Sequence, residues 1–527
     1  MTETTAHQSE QRRSPENGVG HGDGVGHEDL VEAAGRPTGS GVLKAGYDPR
    51  LTNKDLAPLA RQSWGSYNIF AFWMSDVHSV GGYVTAGSLF ALGLSSWQVL
   101  VSLLVGIGIV YVFCNLVAKP SQATGVPYPV ICRSVFGVLG ANVPAIIRGL
   151  IAVAWYGIQT YLASAALDVV LLKLFPGLLP YADVHQYGFL GLPLLGWGSY
   201  AVLWVLQAAV FWTGMETIRR FIDFCGPAVY VVMFVLTGYL IHRAGWGGIN
   251  LNLGDVRYTG LHAVPVMLGA VALVVSYFSG PMLNFGDFSR YGRSYSAVKR
   301  GNLLGLPLNF LMFSILVVVT ASLTIPVFGQ LITDPVQTVA HIDSTFAIVL
   351  GALTFAIATV GINIVANFIS PAFDFSNVSP QRISWRAGGM IAAVGSVLIT
   401  PWNLYNNPDV IHYTLETLGA FIGPLFGVLI ADYYLVRGQR VVVDDLFTMS
   451  QDGRYFYRKG YNPPAIIATA IGAVVAVVPV LWTGGPGMAT VAQYSWFIGV
   501  GVALLAYVLL APRMRVAERS RLHVAAG

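Results

Sequence analysis

The chain has 527 residues, 54% of them apolar and only 11% charged, with a mean hydropathy of +0.61. Ordinary soluble domains carry about a quarter of their residues as charges, so a soluble globular enzyme is excluded. The 30 Lys and Arg exceed the 26 Asp and Glu and give a pI near 8.8, but the basic residues are scattered between apolar stretches. No nucleic-acid partner is therefore expected.

Residues 1–48 are rich in Gly, Glu, Ser and His and lack the short apolar run of a signal peptide, so they read as a disordered cytoplasmic tail. Beyond them, stretches of about 20 mostly apolar residues, the length needed to cross a bilayer, occur twelve times. They fall near 66–88, 96–118, 143–173, 199–219, 221–242, 262–284, 303–328, 343–366, 383–401, 413–436, 464–483 and 493–512. If both termini lie inside, all of the 30 Lys and Arg except Lys173, Arg243 and Arg257 fall on the inner side. That is the cytoplasmic retention of positive charge expected of an inner or plasma membrane protein. Cys114, Cys132 and Cys225 lie in or beside apolar stretches without metal-ligand spacing, so neither a disulfide framework nor a metal site is expected.

Two spans carry polar or helix-breaking residues at membrane depth. The first holds Ser75-Asp76-Val77-His78-Ser79 before Gly81-Gly82, and the sixth holds Ser276-Tyr277-Phe278-Ser279-Gly280-Pro281. Breaks five spans apart are what a five-plus-five inverted repeat requires. The chain then divides into the tail, a ten-helix transport core over 49–440 with repeats near 66–242 and 262–436, a loop with two appended helices over 441–512, and a cytoplasmic tail over 513–527.

In the third span Trp155 and Gln159 stand four apart on one helix face. A flat indole and an amide offering both donor and acceptor suit a flat heterocycle with adjacent N–H and C=O groups, although an amide in hydrocarbon can equally join two helices. The eighth span ends with Asn363 and Asn367, again on one face. Asp287 and Arg290, after the sixth span, suit pairing or helix capping. Asp76, about ten residues into the first span, suits either a proton relay or a structural hydrogen bond. No phosphate loop, His-Glu-x-x-His or dinucleotide fingerprint is present, so no enzyme and no organic cofactor are expected.

Several ordered strings resemble the nucleobase:cation symporter-1 family, permeases for purines, pyrimidines, allantoin and hydantoins. They are Asn53-Lys54-Asp55-Leu56-Ala57-Pro58, Gly125-Val126-Pro127-Tyr128-Pro129-Val130 with Arg133 and Phe136-Gly137, Trp155 to Gln159, Asn284 to Arg290, Asn363 to Pro371, and Ala431-Asp432-Tyr433-Tyr434-Leu435-Val436-Arg437. The resemblance implies an all-α integral membrane fold of twelve helices, the leucine-transporter-like inverted repeat with broken first and sixth helices. It also implies that Trp155 stacks under the ligand ring, Gln159 reads its polar edge, Phe278 supplies a second flat surface, and Asn367 and Ser79 face the ligand. In a sodium-coupled member of that family the ion would meet carbonyls at the positions of Ser75, His78 and Ala358 and hydroxyls at those of Gly361 and Ile362. Neither of the last two has a side-chain oxygen, which favours a proton over sodium, with Asp76 as the carrier, unless Thr359 or a neighbouring span supplies the missing ligand.

The expectation is a secondary active importer of a small, flat nitrogen heterocycle, a nucleobase or allantoin-like ureide, probed against two alternatives: a sodium-coupled hydantoin or nucleobase symporter and a passive solute channel. The partners expected are the small-molecule substrate and the lipid bilayer.

Overall fold

The computed structural model describes residues 41–511 apart from 79–81, 83–86, 88, 91, 252, 254–255, 405–407 and 483–486. Ser79 and the Gly81 of the first-span string lie outside the described residues, as does nearly all of both tails. Among the described residues nine helices are long and apolar enough to cross a membrane. Shorter helices, Ser66–Val77, Trp385–Leu398 and Ser495–Leu510, stand where the first, ninth and twelfth spans were expected.

The first-span helix ends at Val77, with His78 leaving helical geometry, as the polar string predicts. The sixth span takes a milder form than an interruption. It is wound as one helix over Ala263–Leu283, since Pro281 sits in its final turn and forfeits one ladder bond, while Ser279 Oγ donates to the Ser276 carbonyl at 2.7 Å. Irregular helix appears instead in later spans, as π-helical turns at Leu304–Leu308, Asn363–Ile369 and Ala431–Val436. Such turns lodge one extra residue and concentrate at functional positions.

The third-span helix, Asn142–Leu174, is the longest uninterrupted α-helix and packs against the eighth, ninth and fourth spans; the second packs on the sixth. The tenth, eleventh and twelfth helices form their own triad. Gly423 and Gly427 make its contact possible: a Cβ at either would fall 2.4 Å from the Trp496 carbonyl oxygen or 2.3 Å from that of Val500. Small residues four apart are what lets two membrane helices bring their backbones together.

One face gathers the loops after the second, sixth, eighth and tenth spans together with the segment before the first. Arg290 donates to the carbonyls of Gly125, Asp55 and Ala57 at 3.0, 2.9 and 2.7 Å. Arg133 donates to Asn377 Oδ1 and the Leu446 carbonyl, and Asp432 is held by Arg437 and Tyr507. Asp287 caps the short helix Tyr128–Phe136 by accepting from the Tyr128 N–H at 2.8 Å, so of the two roles expected for it, capping is the one observed. Burial raises its carboxyl above the usual range, against the pull of the Tyr128 N–H, the Ser370 and Asn284 side chains and Arg290.

Two expectations change on this basic face. Residues 41–48, assigned to the tail, belong to the fold: Val42 N–H donates to the Pro58 carbonyl and Tyr47 stacks on Phe447 at 4.4 Å. Main-chain and side-chain ties share the docking, since Asp48 N–H donates to the Phe447 carbonyl and both Lys44 and Tyr47 donate to Asp444. Arg133, Arg148 and Arg290, counted as loop charges, are all buried.

Candidate substrate site

Gly157 lies on the side of the third-span helix opposite Trp155 and Gln159. A Cβ there would come within 2.8 Å of Pro401, so glycine lets that side press against the segment after the ninth span. Trp155 and Gln159 are thereby turned into a narrow cleft between the helices, with a cavity volume of about 20 Å³. Asp76 of the first span, Tyr277, Gly280 and Pro281 of the sixth, and Ile362, Ala366 and Asn367 of the eighth complete most of its wall. The four spans expected to clasp the ligand are thus brought together.

Tyr277, rather than Phe278, faces this cleft. Its ring meets Trp155 edge to face, with centroids 6.0 Å apart and planes at 82°. Phe278 is turned about 100° further round the helix and packs against Trp73 and Phe310 at 6.4 and 5.4 Å. This corrects the placement of the second aromatic: the hydropathy of the sixth span reads alike at both positions, so its depth is legible and its rotation is not.

The two eighth-span amides divide their work. Asn363 Nδ2 reaches the Tyr156 carbonyl, Thr160 Oγ1 and Gln207 Oε1, joining three helices, whereas Asn367 donates to Asn363 Oδ1 at 3.1 Å and lines the cleft. Gln159 Oε1 and Asp76 Oδ1 are buried without a hydrogen-bond partner among the described residues. Two acceptors left open in one cleft are suited to N–H groups of a bound molecule.

At the positions considered for a cation, the side chains of Ser75 and His78 bond to neighbouring helices. Ser75 Oγ donates to the Ile222 carbonyl at 3.3 Å, and the His78 ring lies between Tyr230 and Phe313, its nitrogens 3.2 Å from the Gly226 carbonyl and 3.0 Å from Asn309 Oδ1. Ala358 is buried, Ile362 opens on the cleft, and a Cβ at Gly361 would point to Cys225 and Phe221 of the fifth span. Thr359 Oγ1 donates to the Phe355 carbonyl at 2.9 Å.

The reading of the sequence missed Arg148, which also lines the cleft. A signal was present: Arg148, Trp155 and Gln159 are spaced i, i+7 and i+11, one stripe of a helix. Its position near the predicted end of a span made it look like a loop charge instead.

A membrane-embedded bundle with a central, partly polar cleft walled by the first, third, sixth and eighth spans is the architecture of a carrier with alternating access. Over residues 57–499 the chain matches the family described as permeases for cytosine/purines, uracil, thiamine and allantoin, and it belongs to that nucleobase:cation symporter-1 family. It is similar to the allantoin permease of Bacillus subtilis (strain 168), 33% identical over 464 residues covering 88% of this chain and 93% of the relative. It is similar also to the purine-uracil permease NCS1 of Arabidopsis thaliana, 30% identical over 451 residues, covering 84% and 74%. In fold it resembles Mhp1, a nucleobase-cation-symport-1 family transporter in a closed conformation with bromovinylhydantoin bound, with a TM-score of 0.70, 23% identity, and coverage of 89% of this chain and 96% of that one. The protein is thus a multi-pass, cation-coupled membrane transporter of small molecules, with the leucine-transporter-like twelve-helix fold, and not an enzyme.

Proposed function

We propose that the chain imports a small flat nitrogen heterocycle, a nucleobase or allantoin-like ureide, by proton symport across the inner or plasma membrane with both termini cytoplasmic. The observation that carries this reading is the meeting of Trp155, Gln159, Tyr277 and Asn367 around one central cleft. Aromatic edges and faces there hold a planar ring, and the open Gln159 oxygen takes a ring N–H. The names of the allantoin and purine-uracil permeases support the substrate class. For the ion, the absence of side-chain oxygen at Gly361 and Ile362 favours a proton. Asp76, with an unpartnered carboxylate oxygen in the cleft, is the proposed carrier.

Uptake of radiolabelled allantoin, uracil, cytosine, adenine and hypoxanthine into proteoliposomes tests the reading. Concentrative uptake of at least one ring should survive removal of sodium and collapse with a protonophore, and Asp76→Asn should abolish that protonophore sensitivity. Sodium-dependent uptake would overturn the proton assignment. Flux without accumulation would favour a channel, and no uptake of any ring would remove the heterocycle site.

A further inference from the structure

Arg148 differs from the other buried arginines in how its N–H groups are used. Arg133 and Arg290 each donate three hydrogen bonds to protein oxygens. Arg148, only 1% exposed, donates one, from Nη2 to the Ala366 carbonyl at 3.3 Å. Its Nε and Nη1 have no partner among the described residues. Gly280 makes space for the guanidinium, since a Cβ there would lie 3.4 Å from Nη2. A buried guanidinium with two idle donors is costly unless something else accepts from them, and this one borders the cleft.

The unpartnered atoms of the cleft are complementary in sign. Arg148 contributes a planar fork of donors, while Gln159 Oε1 and Asp76 Oδ1 contribute acceptors. A fork of this kind suits adjacent oxygens or an ionised edge. We propose that Arg148 reads the acceptor edge of the transported ring, so that the site selects dioxo rings and ureides, with their alternating C=O and N–H groups, over rings bearing an amino group. The proposal rests on the reading of the cleft as a heterocycle site. An amino substituent would turn N–H against the N–H groups of Arg148 and leave both unbonded, whereas a carbonyl accepts from them and its neighbouring N–H remains for Gln159 or Asp76. The rival occupant of the guanidinium is Asp374, whose Oδ1 is also unpartnered among the described residues.

The test is a titration of the purified full-length protein with uracil, allantoin, cytosine and adenine, read by tryptophan fluorescence, for the wild type, Arg148→Gln, Arg148→Lys and Asp374→Asn, each checked for monodispersity. The wild type should bind uracil or allantoin at least about tenfold more tightly than either amino ring, the scale of discrimination set by a polar group left unpaired. Arg148→Gln should narrow that gap to about threefold or less, and Arg148→Lys should keep its direction at lower affinity. Wild-type preference for cytosine or adenine would overturn the proposal while leaving a heterocycle site in place, and this arm needs no variant to fold. A gap unchanged in Arg148→Gln, or a loss of affinity shared equally by all four rings in both Arg148→Gln and Asp374→Asn, would assign Arg148 to Asp374 instead. Binding of none of the four would overturn both the proposal and the reading beneath it.

Discussion

On the basic face Arg290 gives three N–H groups to three backbone carbonyls, and Asp432 lies between Arg437 and Tyr507. In the cleft, Gln159 Oε1, Asp76 Oδ1 and two nitrogens of Arg148 are equally buried and meet no protein partner among the described residues. The residue types are the same, and their surroundings differ in completeness. Arg290 and Asp432 spend their polar groups on ties between loops, as buried polar groups with a structural role do, although Asn284 Oδ1, Asp374 Oδ1 and Asn462 Oδ1 on that face stay unpartnered among the described residues. Those around the cleft are held in place by packing of their helices and keep their bonding capacity for another molecule.

Mutations in the two regions should therefore separate transport from stability. The largest effect is expected from Gln159→Ala, which should bring uptake to background while membrane expression and melting temperature stay near wild type; retained ligand affinity would move the site elsewhere. Phe278→Ala comes next and should act the other way, costing about 3–5 kcal/mol of stability as a large apolar side chain leaves a packed interior, with melting in detergent as the readout. Arg290→Ala should cost about 3 kcal/mol by stranding its three carbonyls, and would blur the comparison if it lowered ligand affinity in protein that remains folded. Tyr277→Ala is milder: losing one aromatic contact, worth about 0.5–1.5 kcal/mol, should weaken ligand binding roughly two- to tenfold, measured by competition against labelled substrate. The smallest change belongs to Lys44→Ala, because its pair with Asp444 is largely exposed and such pairs contribute little; neither uptake nor melting should move measurably.

Much of this was legible in the sequence because membrane spans announce themselves by length and apolarity. Among the described residues a helix stands at each of the twelve expected places, and Trp155 and Gln159 share the face their spacing of four requires. Rotation was harder to read. In a helix apolar on most sides, such as Ala263–Leu283, nothing in composition tells Tyr277 from Phe278, and only the packing of Phe278 on Trp73 and Phe310 sets the phase. Charge misled in a different way: Arg148 adds to the positive-inside count whether it lies in a loop or under a cleft. The docking of residues 41–48 depends on Asp444 and Phe447, about 400 positions away, which local composition does not reveal.

The π-helical turn over Asn363–Ile369 has a consequence for how this site can change through evolution. An α-helix advances about 100° per residue, and the wide turn absorbs about that much, so the same residues rewound as plain α-helix would lose the present phase between the two flanks. Asn363, bonded to the third and fourth spans, and Asp374, eleven positions further on, would then no longer keep their present faces together. The number of residues in that turn is thus itself an inherited trait of the pocket. Substitutions can retune the wall one side chain at a time, whereas a single-codon deletion inside the turn would let it rewind and shift the residues within it, Asn367 among them, at once while the flanks keep their faces.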